Sequence, residues 1–143
     1  MQMKIMRGLS GSGKSTKARQ IMDSFLEEYP ALSAVICSAD YFFVDSSGEY
    51  KFDANKLGQA HAFCRGMVDA ATRVGVDLII IDNTNTRKWE YQSYLDMAKE
   101  ARYEVEEIIV GDLDEESILK YAKRNAHGVP LETIMKMADR FEK

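Results

Sequence analysis

Met3-Lys4-Ile5-Met6-Arg7-Gly8-Leu9-Ser10-Gly11-Ser12-Gly13-Lys14-Ser15 decides the fold of this chain. Met3 to Arg7 is short and largely apolar, as a strand would be, and Gly8 to Ser15 follows as a complete G-x-x-x-x-G-K-S loop. Ala18, Ile21, Met22, Phe25, Leu26 and Tyr29 then recur at helical spacing until Pro30. Strand, Gly-rich loop and helix therefore arrive in the order that a polyphosphate cradle requires. Glycines let backbone N–H groups approach phosphate oxygens with no Cβ in the way. Lys14 has the reach to bridge two phosphates, the Ser15 hydroxyl suits Mg²⁺, and a helix N-terminus favours anions. The expected ligand is ATP or another nucleoside triphosphate with Mg²⁺, held by Gly8, Ser10, Gly11, Ser12, Gly13, Lys14, Ser15 and Thr16. A Gly/Ser-rich turn that binds nothing is the alternative, and the flanking strand and helix speak against it.

The remaining composition is that of an ordinary globular protein, 45% hydrophobic and 29% charged in 143 residues. That length predicts one domain over residues 1–143, with one core and little room for further modules. No apolar run approaches the ~20 residues of a membrane span, and Arg7 with the glycines interrupts any apolar leader. Cys37 and Cys64 are isolated, without metal-ligand spacing, and read as buried thiols of a cytoplasmic protein. The net charge of −4 argues against a long nucleic-acid footprint, while leaving room for a single end in a locally basic pocket.

Three more strand candidates follow, Leu32–Cys37, Val76–Ile81 and Val105–Val110. Val76–Ile81 is a near-continuous apolar run of the kind that parallel sheets bury on both faces. Glu106 and Glu107 predict an edge position for Val105–Val110. Leu57, Ala60, Cys64, Met67, Val68 and Ala71 mark one intervening helix; Tyr91, Tyr94, Leu95, Ala98 and Ala101 mark another. Past Asp112, one helix carries Ile118, Leu119 and Ala122, and a second starts near Pro130. The pattern specifies an α/β fold: an open, mainly parallel sheet with helices on both faces, and a small helical lid over about residues 112–130.

Ligands of such sheets sit outside the carboxyl ends of the strands, so those ends form a search list. Beside the Gly-rich loop they offer Ser38-Ala39-Asp40 and Asp82-Asn83-Thr84-Asn85. Asp82 suits Mg²⁺ support, through water or through Ser15, with helix capping as the alternative. Asn85 is expected to orient its loop. Asp40 is the candidate general base for a hydroxyl acceptor, with a turn or cap role as the alternative. His61, flanked by alanines in a helix, reads as structural. Lys120 to Pro130 concentrates positive charge, and Arg124 there is the candidate to stabilise a transferring phosphoryl group, against the default of a solvated face. Gly128-Val129 before Pro130 reads as a hinge.

Gly8 to Thr16, Ser38-Ala39-Asp40, Tyr50-Lys51-Phe52-Asp53, Ala60-His61, Asp82-Asn83-Thr84-Asn85 and Arg124 to Pro130 together resemble the P-loop kinase domains of the phage polynucleotide 5′-hydroxyl kinase type. The resemblance is closer to the NEDD4-binding protein 2 type. It implies a P-loop kinase fold, Lys14 and Ser15 serving ATP and Mg²⁺, Asp40 activating the acceptor, and Arg124 as a lid arginine. Lys14, Asp40 and Arg124 are thus the expected catalytic residues, with Ser15 and Asp82 toward the metal. Two departures stand out: Phe42 and Phe43 occupy the stretch where the phage kinases carry an acceptor-binding arginine, and aligning Thr84-Asn85 puts Asn83 rather than Asp82 at their acidic position. The expected reaction is phosphoryl transfer from ATP to 5′-hydroxyl ends of RNA or DNA, with Tyr41, Phe42, Phe43 and Tyr50 as stacking candidates and Arg87, Lys88 and Trp89 as a rim. A small-acceptor kinase and an NTP-binding interaction module are the rival expectations.

Overall fold

A computed structural model describes residues 1–143. In chain order the elements are β1 (Gln2–Arg7), α1 (Lys14–Glu28), β2 (Ala34–Cys37), α2 (Leu57–Val74), β3 (Leu78–Asp82), α3 (Lys88–Ala101), β4 (Glu104–Ile109), α4 (Glu115–Arg124) and α5 (Leu131–Asp139). Short 3₁₀ turns occupy Ala39–Phe43 and Ala54–Lys56. The strands form one parallel sheet in the order β2-β3-β1-β4. With a helix after every strand, this is the P-loop kinase fold.

Strand alternation assigns the two faces. Met3, Ile5, Ile79 and Ile81 face α2 and α3, where Ala60, Cys64, Val68, Tyr91, Tyr94 and Ala98 close the larger core. Met6, Leu78 and Ile80 face α1, meeting Ala18, Ile21, Met22 and Phe25. Every residue of β3 is buried, which explains its unbroken apolar sequence. β4 lies at the edge, its Glu106 paired with Lys4 at 2.6 Å on the neighbouring strand. Charge on an edge strand discourages pairing with another sheet.

The lid helices carry their own small core, Leu9, Ile118, Tyr121 and Ile134. Leu9 belongs to the Gly-rich loop, so that loop and the lid pack as one layer. A Cβ on Gly11 would stand 2.4 Å from the Tyr121 carbonyl oxygen, and Gly11 has φ +83°, so only glycine fits beneath α4. The chain's end returns to the strand termini through Arg7. Its buried guanidinium donates to the carbonyls of Asn85, Thr86 and Glu142, and lies against Tyr91 and Phe141 at 4.9 and 4.8 Å.

After β2, Ser38 caps the 3₁₀ turn that carries Asp40, and Val44 bridges Tyr50. α5 starts beside Pro130, its N-cap, where the sequence places a helix start. Gly128 does turn the chain at φ +66°, but Val129 is tied on both sides by the Asn125 side chain, which accepts from its N–H at 2.7 Å and donates to its carbonyl at 3.1 Å. That clamp stiffens the proposed hinge on its lid side.

Candidate active site

Three strand ends and the lid converge on a crevice of about 190 Å³ lined by Ser15, Arg19, Ser38, Asp40, Tyr41, Tyr50, Asp82 and His127, among others. A larger hollow of about 470 Å³ lies on the α1 face between Lys4, Lys17 and Tyr29. It contains no strand carboxyl end and no Gly-rich loop, so its size carries no chemical weight here.

The donor side is built by β1 and α1. Gly13, at φ +100°, leads directly into α1, and nothing lies within 4 Å of where its Cβ would be. No side chain caps α1 and its first turn has no acidic residue, so its leading N–H groups are left for an anion. By contrast, α4 is capped by Asp114 and carries Glu115 and Glu116 in its first turn. The hydroxyl of Ser12 is buried without a partner in the same loop. Lys14 is 8% exposed, and its Nζ donates to the Leu9 carbonyl at 3.1 Å. Burial pushes its amine below the ordinary lysine range, partly offset by the charges of Asp82 and Asp40. An uncapped helix start, an open glycine and a buried amine short of counter-charge fit a polyphosphate. Ser10 faces Met137 of α5, 3.6 Å from its sulfur, and Thr16 is exposed one turn into α1.

Mg²⁺ fits at the junction of α1 and β3. Ser15 Oγ donates to Asp82 Oδ2 at 2.6 Å, and Asp82 is buried at the end of β3. Asn83 turns elsewhere: its Oδ1 accepts from the Ala39 N–H at 2.9 Å and so fixes the turn that carries Asp40. Asn85, at φ +46°, donates to the Met6 carbonyl at 2.9 Å and anchors the loop after β3, the orienting role its sequence position implies.

On the opposite wall of the crevice, Asp40 is half-exposed. Tyr50 donates to its Oδ1 at 3.2 Å, and His127 Nε2 stands 3.6 Å from its Oδ2. The Tyr50 ring also lies against the His127 imidazole, tilted by 44° with centroids 4.1 Å apart. Burial, then the charge and hydrogen bond of Asp40, push the Tyr50 phenol above its ordinary value. Arg124, at the end of α4, donates from Nε to the Gly11 carbonyl at 2.8 Å, which places its guanidinium on the Gly-rich loop.

The aromatic candidates divide. Phe43 is buried and Phe42 packs against the core, whereas Tyr41 and Tyr50 line the crevice. Arg87, Lys88 and Trp89 are exposed and outside the crevice lining. Glu142 draws the Lys88 backbone toward the chain's end at 2.8 Å. His61 is half-buried, with its imidazole held below the usual range by burial. Sequence reasoning missed Arg19 and gave His127 no role. Ser15 and Arg19 are four residues apart on α1, a spacing that would have put both on one face; no comparable signal exists for His127, which reaches Asp40 only through the lid's fold.

Residues 3–143 match a family described as an AAA domain. Human NEDD4-binding protein 2 is 33% identical over 142 residues, covering 97% of this chain; the chain spans 8% of that relative's length. Among solved structures, Chaetomium thermophilum Kti12 in complex with ADP-AlF3 is similar over 99% of this chain and 80% of its own, at 23% identity and a TM-score of 0.69. A chain of the Pnkp1/Rnl/Hen1 RNA repair complex is similar over 97% of this chain and 43% of its own, at 18% identity and a TM-score of 0.68. At those identities the structural likenesses carry the fold and not the acceptor. Because the family match runs through the Gly-rich loop, all three strand ends and the lid, the chain belongs to this AAA domain family, on a P-loop kinase fold.

Proposed function

We propose that residues 1–143 act as one kinase unit, with residues 112–130 as its lid, transferring the γ-phosphoryl group of ATP to 5′-hydroxyl ends of RNA or DNA. The observation that carries this reading is Asp40: a half-exposed carboxylate in the crevice that holds Ser15 and Asp82, oriented by Tyr50 at 3.2 Å. A general base for a hydroxyl must reach solvent and the donor at once, and a purely binding module needs no such group. ATP with Mg²⁺ supplies the transferable phosphoryl group and part of the neutralising charge. Ser15 and Asp82 would hold the ion, and Gly8, Gly11 and Gly13 with the α1 N-terminus would hold the phosphates. Lys14 gives its proton-bearing amine to phosphate oxygens instead of to Leu9. Arg124 leaves the Gly11 carbonyl to face the charge that spreads over the transferring oxygens. Asp40 orients the acceptor hydroxyl and accepts its proton.

A small hydroxyl acceptor is the second reading, favoured by the net charge of −4 and by the absence of Arg87, Lys88 and Trp89 from the crevice. The test is transfer of labelled γ-phosphate with Mg²⁺ to 5′-hydroxyl RNA, 5′-hydroxyl DNA, nucleoside 3′-phosphates and free nucleosides. End labelling that falls roughly 10²–10⁴-fold in Asp40→Asn is the expected result. Labelling confined to free nucleosides would replace the acceptor, and near-wild-type transfer in Asp40→Asn would overturn the mechanism.

A further inference from the structure

Both oxygens of the Asp40 carboxylate are met by the protein's own side chains. Tyr50 donates to Oδ1 at 3.2 Å, and His127 Nε2 stands 3.6 Å from Oδ2. A reacting hydroxyl needs to come within about 2.6–3.2 Å of a carboxylate oxygen that is to take its proton. An imidazole nitrogen at 3.6 Å leaves no space for an oxygen atom between itself and Oδ2. It is too distant for a good hydrogen bond to the carboxylate, yet it covers the Oδ2 side of a carboxylate that otherwise opens to the crevice.

His127 is a lid residue, and its position is tied to the phosphate loop through a short piece of chain. Arg124, three residues earlier at the end of α4, donates to the Gly11 carbonyl at 2.8 Å. α4 itself sits directly on Gly11, whose missing Cβ makes room for the Tyr121 carbonyl. Asn125, the residue between helix and turn, is fixed by donating to the Tyr121 and Ala122 carbonyls at 3.3 and 3.1 Å and by clamping Val129. Residues 125–129 therefore form one clamped turn, with Arg124 beside it over the phosphate loop and His127 within it against Asp40. His127 also lies there against the Tyr50 ring, centroids 4.1 Å apart.

We propose that His127 is a positioning residue that plugs the acceptor approach to Asp40 until a nucleotide occupies the phosphate loop. An incoming triphosphate draws Arg124 off Gly11, the clamped turn of residues 125–129 shifts with it while Tyr121 stays in its core, and His127 leaves Oδ2 open. Tyr50 stays on Oδ1 and keeps the carboxylate oriented. This rests on the proposed kinase reading for the identity of the acceptor, but the plug itself is a property of the protein and the nucleotide alone. Its consequence is ordered use of substrates. The acceptor binds well only after the donor, which limits exposure of the base to wrong hydroxyls.

The test is nuclear magnetic resonance of the Tyr50 ring, which feels the ring current of His127, during titration with a non-hydrolysable ATP analogue and Mg²⁺. The Gly13 amide reports loop occupancy in the same spectra. On saturation of Gly13, the Tyr50 signals are expected to move toward those of ligand-free His127→Ala. In parallel, affinity for a 5′-hydroxyl dinucleotide is expected to rise roughly three- to fivefold with the analogue in wild type, the scale of one exposed contact. In His127→Ala it is expected to be high from the start and indifferent to the analogue. Saturation of Gly13 with Tyr50 unmoved would overturn the plug whether or not the protein is a kinase. A shift of Tyr50 with no dinucleotide binding would support the plug and sink the nucleic-acid acceptor instead. Weaker dinucleotide binding by His127→Ala would make His127 an acceptor ligand and overturn the proposal.

Discussion

Replacing Lys14 by Met separates a residue that serves the fold from one that serves an anion. The wild-type amine is buried at 8% exposure with a single carbonyl partner, Leu9, and its charge is disfavoured there by burial. Methionine keeps the stem and removes the charge. It loses one charge-assisted hydrogen bond, about 1.5–3 kcal/mol, and relieves a desolvation cost of similar size, so ligand-free stability should stay within about 1 kcal/mol of wild type. Nucleotide binding should respond far more. At a ligand concentration of ~100 Kd, wild type gains about 2.7 kcal/mol, and a chain of this length converts each kcal/mol into about 3 °C of Tm, giving a shift of about 8 °C. If Lys14→Met weakens affinity ~100-fold, the same concentration stabilises it by only ~0.4 kcal/mol, about 1 °C. The linkage has a definite sign. A lysine whose folded pKa is lowered binds fewer protons than the unfolded chain at pH values between the two pKa values. Wild-type stability should therefore rise relative to Lys14→Met as pH climbs toward the ordinary lysine value of 10.5. Differential scanning calorimetry with and without ATP and Mg²⁺, at several pH values, measures all three quantities. Loss of more than ~2 kcal/mol in the ligand-free variant, or a retained nucleotide shift, would refute the idea that this amine is poised for phosphate.

Two further substitutions probe how the site is supported. Arg7→Met strips a 2%-exposed guanidinium from the Glu107 carboxylate at 3.5 Å, three carbonyls and two aromatic rings, and should cost about 3–5 kcal/mol in urea denaturation, with residues 139–143 exchanging amide hydrogens faster; a cost under ~1 kcal/mol would show that Arg7 only fills space. Gly11→Ala forces a Cβ to 2.4 Å from the Tyr121 carbonyl at φ +83° and should cost roughly 2–4 kcal/mol, with faster exchange in α4, whereas Gly13→Ala meets no atom and should cost only about 1–2 kcal/mol of backbone strain; equal behaviour of the two would mean that the lid does not rest on the loop.

The donor half of the site was legible because one continuous stretch builds it. Strand alternation, glycine positions and helical spacing from Met3 to Tyr29 carry β1, the loop and α1 without help from the rest of the chain. The buried third strand and the charged edge strand were also readable, since burial on two faces and exposure at an edge leave different compositions. Boundaries slipped where side chains intervene. β2 starts at Ala34, two residues after Leu32, because Ser33 is engaged by the Asp77 carboxylate at 3.0 Å. That same pairing holds Asp77 before β3, which begins at Leu78. Sequence spacing alone does not distinguish Asp82 from Asn83. The distinction depends on which side chain leaves β3 toward Ser15 and which toward Ala39, a matter of strand facing.

The acceptor half was hidden for a different reason. Asp40, Tyr50 and His127 come from a 3₁₀ turn, a bridge and a lid connection, and they meet only after the sheet, α1 and α4 are in position. No periodicity links residues 40 and 127, so pattern reading offers a list of candidates and not a constellation. This asymmetry bears on function. A phosphate loop constrains backbone geometry tightly, and related chains must share it to bind the same donor. The acceptor side is made of loop residues that can change without disturbing the sheet, which is how one fold serves many acceptors. Discrimination among acceptors in this chain therefore has to be sought in Arg19, Tyr41, Tyr50 and His127, the side chains that surround Asp40, and not in the motif that revealed the fold. Of these, His127 alone lies between α4 and α5, so on the kinase and plug proposals it is the side chain that ties acceptor access to the donor.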